Sequence, residues 1–183
     1  VGDALWVRGP YGRGFPEVNG RHLLVAGGSG AAGLGLLARR LRARGQEVAV
    51  ALGARTEGGL MLDGYFRSLG CEVRLATDDG SAGIKGLVTK GMEQALAAHA
   101  DIDEAIAIGP PIMMKACAEV TRPRHIKTLV SLNPVMVDGT GMCGGCRVKI
   151  GEGIKFACVD GPDFDAHEVD FDDLMSRLAR YRP

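Results

Sequence analysis

The chain has 183 residues with Lys+Arg and Asp+Glu balanced at 22 each, so its zero net charge gives no reason to expect nucleic acid or an anionic membrane as partner. That length holds one α/β domain plus a small appendage, and no apolar run reaches the roughly 18 residues needed to span a bilayer. No signal peptide opens the sequence and five cysteines make no disulfide scaffold, so the expected setting is the reducing cytoplasm.

Residues 22–26 form a short apolar run, followed by glycines and then a helical pattern over 31–43 with Leu34, Leu37, Ala38 and Leu41 on one face. A second strand over 47–52 runs into Gly53, and a helix over 60–69 leads to a third strand near 72–76. A helix from about 86 to 98, a strand at 104–108, a helix over 112–120 and a strand at 125–132 complete the series, which stops at Asn133-Pro134. Such alternation predicts an α/β fold, a parallel sheet with helices on both faces. Beyond residue 133 the pattern changes to short strands near 147–150 and 155–157 and a terminal helix over 171–180. Two domains are therefore expected, 1–133 for a nucleotide and 134–183 for a metal group.

The 28 glycines concentrate at 27–35, 53–59 and 139–145, where a ligand can approach the backbone. Gly28-Ser29-Gly30-Ala31-Ala32-Gly33 reads as G-x-G-x-x-G between the first strand and the first helix. There the glycines permit the turn and let N–H groups at the helix start meet a pyrophosphate. A chance match stays open in a chain this rich in glycine.

The stretch Asp138-Gly139-Thr140-Gly141-Met142-Cys143-Gly144-Gly145-Cys146, with Cys158 downstream, offers three thiolates and one carboxylate spaced by glycines. Such a loop wraps closely around an inorganic core and turns amides toward its sulfurs, as an iron–sulfur cluster requires. A zinc knuckle or a plain glycine-rich turn are the alternatives; zinc sites usually present two Cys-x-x-Cys pairs or added histidines, and here no second pair exists.

These residues carry a resemblance. Met136, Gly139, Gly141, Cys143, Cys146 and the run Cys158-Val159-Asp160-Gly161-Pro162-Asp163-Phe164 resemble the iron–sulfur motif of the electron-transfer subunit of dihydroorotate dehydrogenase and its relatives, with Asp138 where the first Cys would stand. Ser131-Leu132-Asn133-Pro134 leading into Asp138 is similar to the alpha subunit branch of NADH-dependent reduced ferredoxin:NADP oxidoreductase, also known as a sulfide dehydrogenase subunit. The resemblance implies a ferredoxin reductase-like NAD(P)-binding domain followed by a small iron–sulfur domain. It implies a [2Fe–2S] cluster on Asp138, Cys143, Cys146 and Cys158. It places Arg55 and Thr56 near the adenosine ribose, and Gly109, Pro110 and Met113 near the nicotinamide, with Gly28, Ser29, Gly30 and Gly33 on phosphate. NAD(H) is favoured over NADP(H) by the resemblance, while Arg55 beside Glu57 gives mixed evidence.

The same family places an FAD-binding barrel before the nicotinamide domain. Its Arg-x-Tyr-Ser motif is not found here, and Gly9-Pro10-Tyr11-Gly12 resembles the Gly-Pro-x-Gly that follows the barrel, so a fragment lacking the flavin domain is expected. The implied function is an oxidoreductase subunit that moves electrons between NAD(P)H, FAD and the cluster to a larger catalytic flavin and iron–sulfur subunit, with ferredoxin as an indirect partner. The fragment alone is expected to show little turnover, and no residue is assigned a catalytic role. The dihydroorotate dehydrogenase subunit itself and a non-catalytic zinc-containing binding module stand as alternatives.

Other residues invite simpler readings. Cys71, Cys117 and Met114 read as core. Asp78-Asp79-Gly80-Ser81 and Gly86-Leu87-Val88-Thr89 read equally as a substrate-side loop or as surface turns. His22 and His125 stand at strand starts, and no Ser-His-Asp or Cys-His arrangement supports hydrolysis. The acidic run 163–173 reads most simply as a solvated face, with contact to a partner subunit as the alternative.

Overall fold

A computed structural model describes residues 2–15 and 19–181 of the chain. The apolar run predicted at 22–26 forms β1 (Arg21–Gly27), with Leu23, Leu24 and Val25 fully buried. A strand that is apolar on both faces must be covered on both, as in a parallel sheet flanked by helices. The sheet then builds outward through α1 (Gly30–Ala43), β2 (Glu47–Ala54), α2 (Asp63–Ser68), β3 (Glu72–Thr77) and the two-residue β4 (Ile84–Lys85). The chain next crosses back through α3 (Val88–Ala98) to β5 (Ile102–Ile108) on the other side of β1, and on through α4 (Pro111–Thr121) to β6 (Lys127–Ser131). After a separate hairpin of β7 (Arg147–Ile150) and β8 (Gly153–Phe156), β9 (Asp163–Asp165) returns to the sheet, whose strand order is β4-β3-β2-β1-β5-β6-β9, parallel throughout except for its last member.

The order in which strands are added reverses at β1, with β2 on one side and β5 on the other, and this opens a crevice beyond the carboxyl ends of those strands, where open α/β sheets bind ligands. One face of the sheet is covered by α1 and α2 around Leu24, Leu34, Val50 and Phe66. The opposite face holds α3 and α4 around Leu23, Met92, Met114 and Cys117, confirming Met114, Cys71 and Cys117 as buried. Burial pushes the Cys117 thiol up to about 12, so it is inert. Each fully buried Leu or Met contributes about 1.5–3 kcal/mol.

Two expectations need correction. The helix foreseen over 60–69 covers only Asp63–Ser68, because Leu62 takes a left-handed conformation (φ 63°) that a helix cannot include. The acidic run 163–173 is not simply a solvated face. It contains β9 (Asp163–Asp165), which pairs antiparallel with β6, and the start of α5 (Phe171–Ala179). Phe164, Ala166, Phe171 and Leu174 from this stretch lie in the same buried cluster as the sheet residues. Asp163-Phe164-Asp165 has period two, with the phenyl ring inward and the carboxylates flanking it. A hydroxyl relay adds to the tie: Thr128 Oγ1 donates to Thr121 Oγ1 at 2.7 Å, and Thr121 Oγ1 meets His167 Nε2 at 3.0 Å.

At the opposite end of the sheet, His22 and Glu104 are each 1% exposed. Burial alone would raise the Glu104 pKa, but the His22 and Lys127 contacts (3.5 and 2.8 Å) outweigh it and hold the carboxyl below its ordinary value. Among the described residues no helix is long and apolar enough to cross a membrane.

Candidate functional site

A cleft of about 1550 Å³ lies beyond the carboxyl ends of β1, β2 and β5. Its floor is the β1–α1 turn. Gly28 sits at φ 55° and donates its N–H to Gly53 O at 3.1 Å, which turns the chain sharply into α1. Gly30 is pressed against β5: a Cβ there would stand 2.7 Å from the Ile108 carbonyl carbon. Ser29 precedes α1 without a side-chain cap, and no acidic residue occupies the first turn. The helix thus presents N–H groups and its positive dipole end to the cleft, suited to an anion.

Every nucleotide-site residue expected from the sequence lines this cleft: Gly28, Ser29, Gly30, Gly33, Arg55, Thr56, Gly109, Pro110 and Met113. Arg55 and Thr56 follow β2 and are exposed, leaving the guanidinium free to reach a ligand phosphate or ribose. At the β5–α4 turn, Pro110 precedes helix α4 and a Cβ on Gly109 would meet Met113 Sδ at 2.8 Å. The missing side chains at Gly27 and Gly109 make room for the Met113 thioether, which packs against both. From the two segments read as loop or turn, Asp78, Leu87, Val88 and Thr89 line the cleft as well. Asp79 instead folds inward on its own turn, accepting from Ser81 N at 2.9 Å and Ser81 Oγ at 2.7 Å. Lys115, Glu119, Ser131, Asn133, Leu178 and Tyr181 also line the wall and were not foreseen as cleft residues. Lys115 and Glu119 fall one helical turn apart, a spacing that could have flagged them, whereas Leu178 and Tyr181 arrive only through tertiary packing of α5.

The second half of the site is the loop 134–146 and the hairpin of β7 (Arg147–Ile150) and β8 (Gly153–Phe156). Pairing of Arg147 with Phe156 brings the flanking cysteines together at the open end of the hairpin. Cys146 Sγ and Cys158 Sγ stand 3.2 Å apart, both buried. Burial first, and then the Cys146 sulfur, raises the Cys158 thiol above its ordinary value, so the pair is uncomfortable as two thiolates without a cation between them. Cys143 is exposed on the same loop and accepts from Gly145 N at 3.4 Å. The Asp138 carboxylate accepts from Thr140 N at 2.8 Å and from Cys143 N at 3.2 Å, and these contacts, the Thr140 amide foremost, hold its pKa down and keep it ionised. Gly139, Gly141 and Gly144 all take positive φ (77°, 83° and 67°), the conformations that let the loop curl.

Among the described residues no three His, Cys, Asp or Glu side chains surround one point closely enough for a single metal ion. The donors divide into the buried Cys146–Cys158 pair and the more exposed Cys143 and Asp138. Two pairs of donors of this kind fit an iron–sulfur core.

Comparison with known proteins accords with this geometry. The family of the iron–sulfur cluster binding domain of dihydroorotate dehydrogenase B matches residues 133–170. The Thermotoga maritima homolog of the electron transfer subunit of dihydroorotate dehydrogenase B (NAD(+)) is 49% identical over 99% of this chain and 64% of its own length. The corresponding subunit of Caldanaerobacter subterraneus is 38% identical over 93% of this chain and 68% of its own. A solved chain of the NADH-dependent reduced ferredoxin-NADP oxidoreductase superposes with TM-score 0.87 at 45% identity, over 96% of this chain and 63% of that one. A ferredoxin reductase at 21% identity and TM-score 0.51 shares the fold alone. The chain spans a little under two thirds of the first relative and of the first solved structure. The chain belongs to the dihydroorotate dehydrogenase B electron-transfer subunit family, with a ferredoxin-reductase-like fold and a C-terminal iron–sulfur binding region.

Proposed function

We propose that this chain moves electrons between a nicotinamide nucleotide and a [2Fe–2S] cluster for a larger catalytic subunit. The observation that carries the reading is continuity: Asn133 lines the nucleotide cleft and also opens the segment 133–170 that matches the cluster-binding domain. Five residues further on stands Asp138, so one short connecting segment after β6 links the two sites.

In this reading Gly28, Ser29, Gly30 and Gly33 cradle the pyrophosphate, with the first N–H groups of α1 neutralising its charge. Arg55 and Thr56 hold the ribose end. Gly109, Pro110 and Met113 fix the nicotinamide plane by shape. Asp138, Cys143, Cys146 and Cys158 hold the cluster, and the glycines between them direct amides at its sulfurs. The flavin is proposed to be an FAD held outside these 183 residues. The bound groups supply two-electron acceptance at the flavin and one-electron carriage at the cluster. NAD(H) is the proposed nucleotide, in keeping with the NAD(+)-linked dihydroorotate dehydrogenase B relatives. With Asp138 in place of a Cys, a ferredoxin:NADP oxidoreductase assembly is the favoured setting over a dihydroorotate dehydrogenase, with ferredoxin reached through the partner subunit. The cytoplasm is the proposed location.

Calorimetric titration of the purified chain with NADH and NADPH tests the nucleotide half. Saturable binding of NADH, abolished by Gly30→Val, supports it; the same weak heats for both nucleotides and for the variant contradict it.

A further inference from the structure

Residues 8–13 lie across the cluster loop rather than beside the sheet that follows them in sequence. Gly139, next to the Asp138 ligand, is buried under the Tyr11 ring; a Cβ at Gly139 would stand 2.6 Å from Tyr11 Cζ and 2.9 Å from Cδ1. The Arg8 guanidinium lies 5.8 Å from the centroid of that ring. One residue on, Gly12 (φ 65°) packs onto the turn that carries Cys158, where a Cβ would stand 2.8 Å from the Gly161 carbonyl carbon and 3.2 Å from Ala157 O. Arg13 then donates its N–H to Gly161 O at 2.6 Å. The short segment therefore touches the Asp138 side of the ligand framework with Tyr11 and the Cys158 side with Gly12 and Arg13.

We infer that Tyr11 is a positioning residue for the cluster, acting through a strap of residues 8–13 that holds the Asp138 loop against the Cys158 turn and thereby sets the cluster's reduction potential. The inference rests on the cluster assignment proposed above. Its physical basis is that groups behind a metal's ligands fix their orientation and control solvent access, which are levers on potential. Asp138 lies on a loop outside the strands and helices, and its carboxylate is steered from within that loop, by the amides of Thr140 and Cys143. With the ring gone, Gly139 loses its backing and water reaches this otherwise buried stretch of the loop. Reduction adds negative charge to the core, and water stabilises that charge, so the potential rises.

The test compares wild type, Tyr11→Phe, Tyr11→Ala and Gly12→Ala, each purified anaerobically with iron quantified. Reduced electron paramagnetic resonance spectra, potentiometric titrations and iron release to a chelator are then recorded. Tyr11→Phe keeps the ring and should reproduce the wild-type g-values and potential. Tyr11→Ala and Gly12→Ala lift the strap from its two ends and should both shift the g-values, raise the midpoint potential and speed iron loss about tenfold. NADH binding at the cleft checks that the fold survives. If both alanine variants lower only thermal stability and leave g-values and potential at wild-type values, the strap is structural and the inference falls while the cluster assignment stands. A wild-type chain without two irons overturns both.

Discussion

In the nucleotide cleft the glycines are backed by regular structure: Gly30 by the Ile108 carbonyl at the end of β5, and Gly53 by Val88 at the start of α3. In the loop 138–146 the glycines at 139, 141 and 144 hold positive φ, and no strand or helix runs through them. The cleft is shaped by the sheet before any ligand arrives, whereas the loop depends on its ligands and on what leans against it. Damage to the first should therefore cost stability and binding together, and damage to the second should cost the metal group while sparing the sheet.

The largest effect is expected for Cys146→Ser. Removing one thiolate of the 3.2 Å pair should lower bound iron by about tenfold or more, while NADH binding stays near wild type. Iron analysis and calorimetry on one preparation check both halves; joint loss would erase the contrast between the regions. Gly30→Ala is the matching lesion in the cleft. Its methyl meets the Ile108 carbonyl, so about 1–3 kcal/mol of stability should be lost along with nucleotide affinity, as urea unfolding and calorimetry would show. Arg55→Ala separates binding from folding on the exposed rim. Losing a charged hydrogen bond should weaken nucleotide binding about tenfold and leave the urea midpoint unchanged.

An effect confined to one pH range concerns Asp163, where β9 joins the two regions. Burial pushes its pKa up to about 6, with the Ser131 hydroxyl offsetting part of the rise, and one carboxylate oxygen has no partner among the described residues. The folded chain therefore binds this proton more tightly than the unfolded one. The associated stability is complete below the ordinary value of 3.8 and is lost as pH rises through about 6. Asp163→Asn should remove that decline, gaining roughly 1–3 kcal/mol over wild type at neutral pH and little below pH 4. Urea midpoints of the two proteins across that range give the answer.

Much of the sheet was legible because β1, β2 and β5 are long apolar runs bounded by glycine, and the G-x-G-x-x-G turn falls between two of the strongest elements. β4 and β9 were not, since two and three residues fall below any periodic pattern, and the carboxylates around Phe164 disguised its inward alternation. The start of α2 was misplaced because Leu60, Met61 and Leu62 continue an apolar pattern that the backbone abandons at Leu62. In the site, residues carrying motifs were readable by position. Leu178 and Tyr181 were not, because they reach the cleft only through packing between elements distant in sequence. The Tyr11–Gly139 contact is of the same kind.

The most direct test of the account is iron and zinc quantification on the anaerobically purified chain, with visible and electron paramagnetic resonance spectra before and after dithionite, for wild type and Asp138→Ala. Two irons per chain, an S = 1/2 signal on reduction, and an altered spectrum in the variant are the predicted result. One zinc, no metal, or a variant spectrum identical to wild type would contradict it.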